Sequence, residues 1–425
     1  MTGPEMRPSL GKRSSFSHFS TAQQQPISPQ QQRYPPGWNP YDEEATAGSS
    51  GPHTAAKTSR YSASAAPGEP YMWEQSAQAS SYAPSTGMKY APSDYQLPRR
   101  SAYFESTMPL YSVSWSTPAA DGMSCLAVGT CNDESKNKIQ VVHTEGNSFN
   151  LAAEASVPYP CTKLAWDSRL DAQGKRQFAT SGDCLRIWSY DSSKGFLQQR
   201  CSLSNSKSGS ISPITSFDWN KVAPHLIITS SIDTTCTLWD LNTSSARTQL
   251  IAHDQEVYDV QFTAGSTDVF ASVGADGSVR VFDLRALDHS TIIYDPPKPP
   301  PLVRIAGCPY DGNILATFAG NSSKVLILDI RQPGMPIDVL QQHQAPVNAI
   351  QWCPQSVVVG GQRKRLLASS SDDSQIILWN TAVPGDYHLD SAFTDSAEVN
   401  NICWSASGDW IASVTNKGVQ GVRLN

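Results

Sequence analysis

Leucine, isoleucine and valine are almost missing from the first hundred residues, which hold three of them in all. A stretch so poor in apolar side chains cannot bury enough surface to offset the entropy lost on ordering. What it holds instead is thirteen Pro, sixteen Ser and nine Gln, with runs at Gln23-Gln24-Gln25 and Gln30-Gln31-Gln32. Residues 1–100 are therefore expected to be a disordered tail. Its eleven aromatics include Tyr34, Trp38 and Tyr41, followed by Asp42-Glu43-Glu44. The plain reading is scattered aromatics in a solvated tail; the sharper one is a docking motif that orders on a partner. Arg13-Ser14-Ser15 and Arg99-Arg100-Ser101 fit the pattern of basophilic kinase sites, where added phosphate charge would act locally.

Other absences exclude whole classes of chemistry. No Cys-x-x-Cys pair occurs, and all nine Cys lie between 125 and 403. Buried free thiols in a reducing compartment are expected, not disulfides or zinc ligands. No apolar leader opens the chain and no long apolar run follows, so neither secretion nor membrane insertion is expected. Net charge is −6; the tail carries nine basic and seven acidic residues, and the remainder 23 and 31. An acidic remainder without a Lys/Arg cluster argues against direct nucleic-acid binding. There is no phosphate-binding loop, no His-Glu-x-x-His and no Gly-x-Ser-x-Gly elbow. No enzyme, cofactor site or metal site is expected.

What remains after residue 100 is repetition. Val257–Phe262 is followed by Phe270–Gly274, Asp276-Gly277 and Val279–Asp283. Val347–Trp352 is followed by Leu367–Ser371, Asp372-Asp373 and Ile376–Asn380. A His stands before each copy, at 253 and 343. Short runs rich in Val, Ile, Phe, Trp and Thr, punctuated by Gly, Asn, Asp and Ser, read as strands. First strands end at Trp115, Trp166, Trp219, Phe262, near Gly307, Trp352 and Trp404, which makes seven units. A period of roughly 40 to 50 residues signals a propeller of four-stranded blades. The chain stops one strand short in the seventh unit, and Ala102–Ser106 is expected to supply it, closing the ring and hiding two sheet edges. The expected fold is all-β: a seven-bladed propeller over 101–425. Asp276-Gly277 reads as a hairpin turn, since both residues can take positive φ.

This grammar resembles that of the WD repeat, in which a His, a Ser or Thr, an Asp and a Trp join in one hydrogen-bonded chain. His343, Ser369, Asp373 and Trp379 fit by spacing. His253, Ser272 and Asp276 fit, with Phe282 in place of Trp. Thr229, Asp233 and Trp239 fit, with Ser210 at the His position. The expected role is structural, since a buried polar chain is favourable when every member is satisfied. A catalytic His–Asp reading is the weaker alternative.

Three runs go beyond the generic repeat: Ser230–Trp239, Thr248–Asp259 and Phe270–Tyr294. They resemble the Transparent Testa Glabra/anthocyanin regulator family of WD-repeat proteins. The resemblance implies a noncatalytic adaptor in cytoplasm and nucleus. Animal members are adaptors for DYRK and HIPK kinases and are associated with cullin-RING ubiquitin ligases; plant members scaffold bHLH and MYB transcription factors. The alternative is a substrate receptor for a cullin-RING ligase. Such receptors carry a sixteen-residue box ending Trp-Asp-x-Arg. Phe270 to Arg285 has that length and ends Phe282-Asp283-Leu284-Arg285, and Leu328-Asp329-Ile330-Arg331 repeats the ending. Asp283, Arg285, Asp329 and Arg331 are thus candidate contacts for a ligase adaptor, or local ion pairs at blade ends.

Overall fold

The computed structural model describes residues 101–424, apart from 119–121, 133–135, 172–173, 205–211, 360, 384–385 and 417. The tail expected over 1–100 lies outside the described residues.

Seven antiparallel four-stranded sheets follow one another. Blade one runs from Leu110 to Val157, blade two from Lys163 to Leu203, and blade three from Ile214 to Ile251. Blade four spans Val257 to Tyr294, blade five Leu302 to Gln341, and blade six Val347 to Thr394. Blade seven takes Asn401–Trp404, Trp410–Thr415 and Gly418–Arg423 from the end of the chain. Its fourth strand is Ser101–Glu105, which pairs antiparallel with Gly418–Arg423, Ser101 opposite Val422 and Glu105 opposite Gly418. The first strand of each blade packs beside that of the next, and Leu110–Trp115 of blade one packs beside Asn401–Trp404 of blade seven. The ring is closed, so no blade is left with an open face.

Position in the blade explains composition. Second strands such as Leu226–Ser231, Ile314–Ala319 and Leu366–Ser371 are buried at every residue. They are covered by neighbouring blades on both faces, so they show no polar–apolar alternation; Leu226–Ser231 and Leu366–Ser371 read as aliphatic residues followed by small ones, with buried Ser and Thr hydroxyls toward the end of the strand. Fourth strands lie on the rim; Ser245–Ile251 is mostly exposed and polar. Apolar side chains from adjacent blades interlock, as Phe318, Val325 and Ile327 of blade five do with Trp352, Leu367 and Trp379 of blade six.

Asp276-Gly277 lies in the hairpin turn between the second and third strands of blade four, and Gly277 has positive φ, at 68°. The turn spans Gly274 to Gly277, with the Gly277 N–H donating to the Gly274 carbonyl at 3.1 Å. A Cβ on Gly277 would also sit 2.4 Å from the Pro299 ring. Glycine is needed there for conformation and for close approach. Blade six carries an additional hairpin that the repeat pattern did not indicate, Val357–Val359 with Gln362–Lys364, inserted between its first and second strands. Of the nine thiols, seven are buried as expected, but Cys131 is exposed and Cys201 partly so.

Candidate functional site

The second strand of a blade presents a hydroxyl inward, the loop entering the blade presents a His, and the turn before the third strand presents an Asp. In blade six His343 Nδ1 lies 2.9 Å from Asp373 Oδ2, and its Nε2 lies 2.8 Å from Ser369 Oγ. The Trp379 indole N–H donates to the same Ser369 Oγ at 2.9 Å. Asp373 also accepts the backbone N–H groups of Gln344 and Gln375. In blade four His253 bridges Asp276 (2.9 Å) and Ser272 (2.7 Å). Phe282 offers no donor and stacks on Phe270 instead, with ring centroids 5.0 Å apart. Arg280 closes that network by donating to both Asp254 and Asp276.

Burial works to raise the Asp276 pKa, but the hydrogen bond and charge of His253, with the N–H and O–H of Ser278, hold the carboxyl well below the usual range. Asp373 is lowered too: burial opposes it, while His343 and the backbone N–H groups of Gln344 and Gln375 prevail.

Ser–His–Asp is also the constellation of nucleophilic hydrolases. Here Ser272 and Ser369 are 0% exposed and His253 is 1% exposed. A substrate carbonyl has no way to reach either hydroxyl, so these networks hold turns against strands.

Blade three keeps only part of the pattern. Trp239 Nε1 donates to Thr229 Oγ1 at 2.9 Å. Asp233 does not join that pair; it accepts the N–H and O–H of Thr235 in its own turn. Without a bridging imidazole the two halves are independent. Ser210, expected at the His position, lies outside the described residues.

Sequence reasoning missed three further sets. In blade two Trp188 donates to Thr180 at 3.0 Å, a pair that alignment with Thr229 and Trp239 would have found. In blade seven Asp395 stands in the entering loop, and Ser413 donates to it at 2.5 Å, so a carboxylate replaces imidazole. At the centre of the ring, Lys163 of blade two reaches Asp259 of blade four at 3.2 Å, and Ser216 of blade three donates to the same carboxylate. Arg304 of blade five donates to the Tyr111 hydroxyl of blade one at 2.6 Å. Burial opposes ionisation of Asp259, yet the cations Lys163 and Arg304 keep its pKa below the ordinary value.

The Asp-x-Arg endings sit at the opposite end of the third strands from the Asp turns. Arg285 clasps Asp283 through Nε (2.8 Å) and Nη2 (2.6 Å), with Arg285 70% exposed in its side chain. Arg331 makes the same fork to Asp329 and a longer contact, 3.4 Å, to Asp311. Asp329 is buried while Arg331 is largely exposed. The Arg285 hydrogen bond draws the Asp283 pKa down to about 2. Asp167 and Arg169 of blade two repeat the clasp.

Comparison with known proteins follows the same outline. The family model for the WD domain, G-beta repeat, matches residues 244–283 and 334–380. Over 326 residues the chain is 40% identical to the DDB1- and CUL4-associated factor 7 homolog of Dictyostelium discoideum, covering 76% of this chain and 98% of that one. A WD repeat-containing protein of Saccharomyces cerevisiae is 37% identical over 413 residues, with 76% of each chain covered. One from Schizosaccharomyces pombe is 41% identical over 302 residues, covering 64% of this chain and 68% of its own. Seven blades, a ring closed by an N-terminal strand, and near-complete coverage of the Dictyostelium relative establish that this chain belongs to the WD-repeat protein family of that DDB1- and CUL4-associated factor 7 homolog.

Proposed function

We propose that this chain is a noncatalytic adaptor that gathers other proteins on the loops of its propeller. The observation that carries the reading is the sealing of its Ser–His–Asp networks: Ser272 and Ser369 are wholly buried, so the polar residues of catalytic type act as scaffold. A preformed surface lowers the entropy cost of holding an extended peptide. The partners divide into two groups. The printed name of the Dictyostelium relative favours association with a cullin-ligase adaptor. The family-specific runs 230–239, 248–259 and 270–294 favour presentation or localisation of a DYRK- or HIPK-like kinase, or of transcription regulators as in the Transparent Testa Glabra family. Both fit a protein working in cytoplasm and nucleus.

The test is affinity purification of the tagged full chain with mass spectrometry, in wild type and in the double variant Arg285→Ala, Arg331→Ala. Each Arg is already held by its own Asp, so structural clasps are the favoured reading. The double variant should then lower the melting temperature and weaken every partner together. Selective loss of the ligase adaptor, at unchanged melting and unchanged kinase binding, would make the arginines a ligase contact and the chain a substrate receptor. Recovery of neither partner class would remove the adaptor reading.

A further inference from the structure

Blade six carries a hairpin that a four-stranded blade does not need. Among the described residues no other blade holds a strand pair between its first and second strands. In this one Val357 stands opposite Lys364, and Val358 opposite Arg363. Its base is pinned at three points. The Gln355 side-chain amide donates to the Ala406 carbonyl of blade seven at 2.9 Å. Val357 is buried in the cluster that holds Cys353, Ile402 and Trp404, and Gly408 comes so near that a Cβ there would lie 2.9 Å from it. Lys364 pairs with Asp390 on the outer strand of its own blade. Held in this way, the hairpin presents its outer face in one orientation, which lowers the entropy cost of binding there.

That outer face is basic and apolar. Alternation along the strands turns Val357 and Lys364 toward the propeller and Val358 and Arg363 away from it. Val358 is 62% exposed, and Arg363 and Arg365 are exposed as well. Arg363-Lys364-Arg365 is the longest run of basic residues in the chain, set within a region, 101–425, that holds 23 basic and 31 acidic residues. The arginines of the Asp-x-Arg endings are each clasped by their own Asp. Among the described residues neither Arg363 nor Arg365 has a carboxylate partner; the Arg365 guanidinium lies over the Tyr310 ring, 5.2 Å from its centroid.

Two features narrow the occupant. The hairpin strands pair with each other and with no third strand among the described residues, so the pair keeps outer edges without a ladder partner. Such edges accept an extended chain by main-chain hydrogen bonds. Two unpaired guanidiniums on an acidic domain are too few to hold a nucleic-acid backbone; they match carboxylates, which Arg takes in a two-pronged geometry. We propose that the blade-six hairpin is a docking edge for an extended acidic segment of a partner protein. The segment adds as a further strand, with aliphatic side chains beside Val358 and carboxylates on Arg363 and Arg365. The inference rests on the adaptor reading and deepens it by naming one surface on which a partner is held.

The probe is a fluorescein-labelled Glu-Val-Glu-Val-Glu peptide, titrated with the full chain and read by fluorescence anisotropy. It should bind wild type and lose about tenfold in affinity for Arg363→Glu. It should keep its affinity for Arg247→Glu, a charge reversal on the exposed fourth strand of blade three. Methylating alternate backbone amides of the peptide should abolish binding, because strand addition uses them. Val358→Asp, on the same outward face, should also weaken binding at an unchanged melting temperature, which keeps the test decisive should Arg363→Glu misfold. Equal binding by Arg363→Glu and wild type, binding of the methylated peptide, equal binding of Lys-Val-Lys-Val-Lys, preference for single-stranded oligothymidine, or no binding at all would each overturn the proposal. The adaptor reading is judged apart from it: if affinity purification recovers the same partners from wild type and Arg363→Glu, this surface falls and the adaptor stands.

Discussion

Trp379 separates the two forces that hold a blade. It is 4% exposed and packs with Trp352, Leu367 and Ile377 between blades five and six. Its N–H also donates to Ser369 Oγ, which His343 holds from the other side. Trp379→Ala removes both packing and hydrogen bond, and truncating a buried aromatic of this size costs about 3–5 kcal/mol. Trp379→Phe keeps most of the packing and removes the donor. Ser369 retains His343 as a partner, so no buried group is orphaned, and the loss should be about 1–2 kcal/mol. Blade four is the built-in precedent, since Phe282 already occupies that place and stacks on Phe270. The assay is the guanidinium midpoint of the full chain, followed by tryptophan fluorescence and far-ultraviolet dichroism together. Alanine should shift the midpoint at least twice as far as phenylalanine. Equal shifts would mean that the hydrogen bond, not packing, dominates, and an alanine shift near zero would mean that blades five and six are not coupled through this side chain.

Three further outcomes follow from the geometry. The carboxyls of Asp276 and Asp373 have folded pKa values below those of the unfolded chain, so their stabilisation is full above about pH 4 and is lost as pH falls through the folded values; an acid titration of stability should steepen there, and Asp373→Asn should flatten part of that slope. Deleting residues 1–105 removes the strand that covers Gly418–Arg423 and buries Ala102, so it should lower the melting temperature and promote self-association through the open edge, whereas deleting 1–89 should change melting little; similar light-scattering and melting curves for both deletions would argue against ring closure as a source of stability. Lys163→Ala should cost less than Asp259→Ala in thermal melting, because Asp259 also accepts Ser216 and the Ile305 N–H while Lys163 is partly exposed; the reverse order would show that the charge pair outweighs the hydrogen bonds.

Much of the fold was legible because it is local and repeated. Strand ends at Trp115, Trp219, Phe262, Trp352 and Trp404 coincide with the ends of the first strands. The His–Ser–Asp spacing of blades four and six translated directly into hydrogen bonds, since a loop, a strand and a turn within about thirty residues fix all three groups. The closing strand was legible from a count: six complete units and one unit short. Less visible were features that depend on a substitution within the pattern. Asp395 for His in blade seven, or Asp233 turning to Thr235, obey the same geometry with different chemistry.

The sequence alone determined the strand period, the number of blades and which side chains would be sealed within each blade, because alternation and turn chemistry act over a few residues. Only the closed ring decided what meets across it. Lys163 finds Asp259 and Arg304 finds Tyr111 because seven sheets come around to a common centre. The cavity lined by Trp115, Phe149 and Trp410 lies where blades seven and one meet, between segments from opposite ends of the chain. Contacts of that range carry no periodic signal; they are set by how the blades pack, not by the pattern within any one of them.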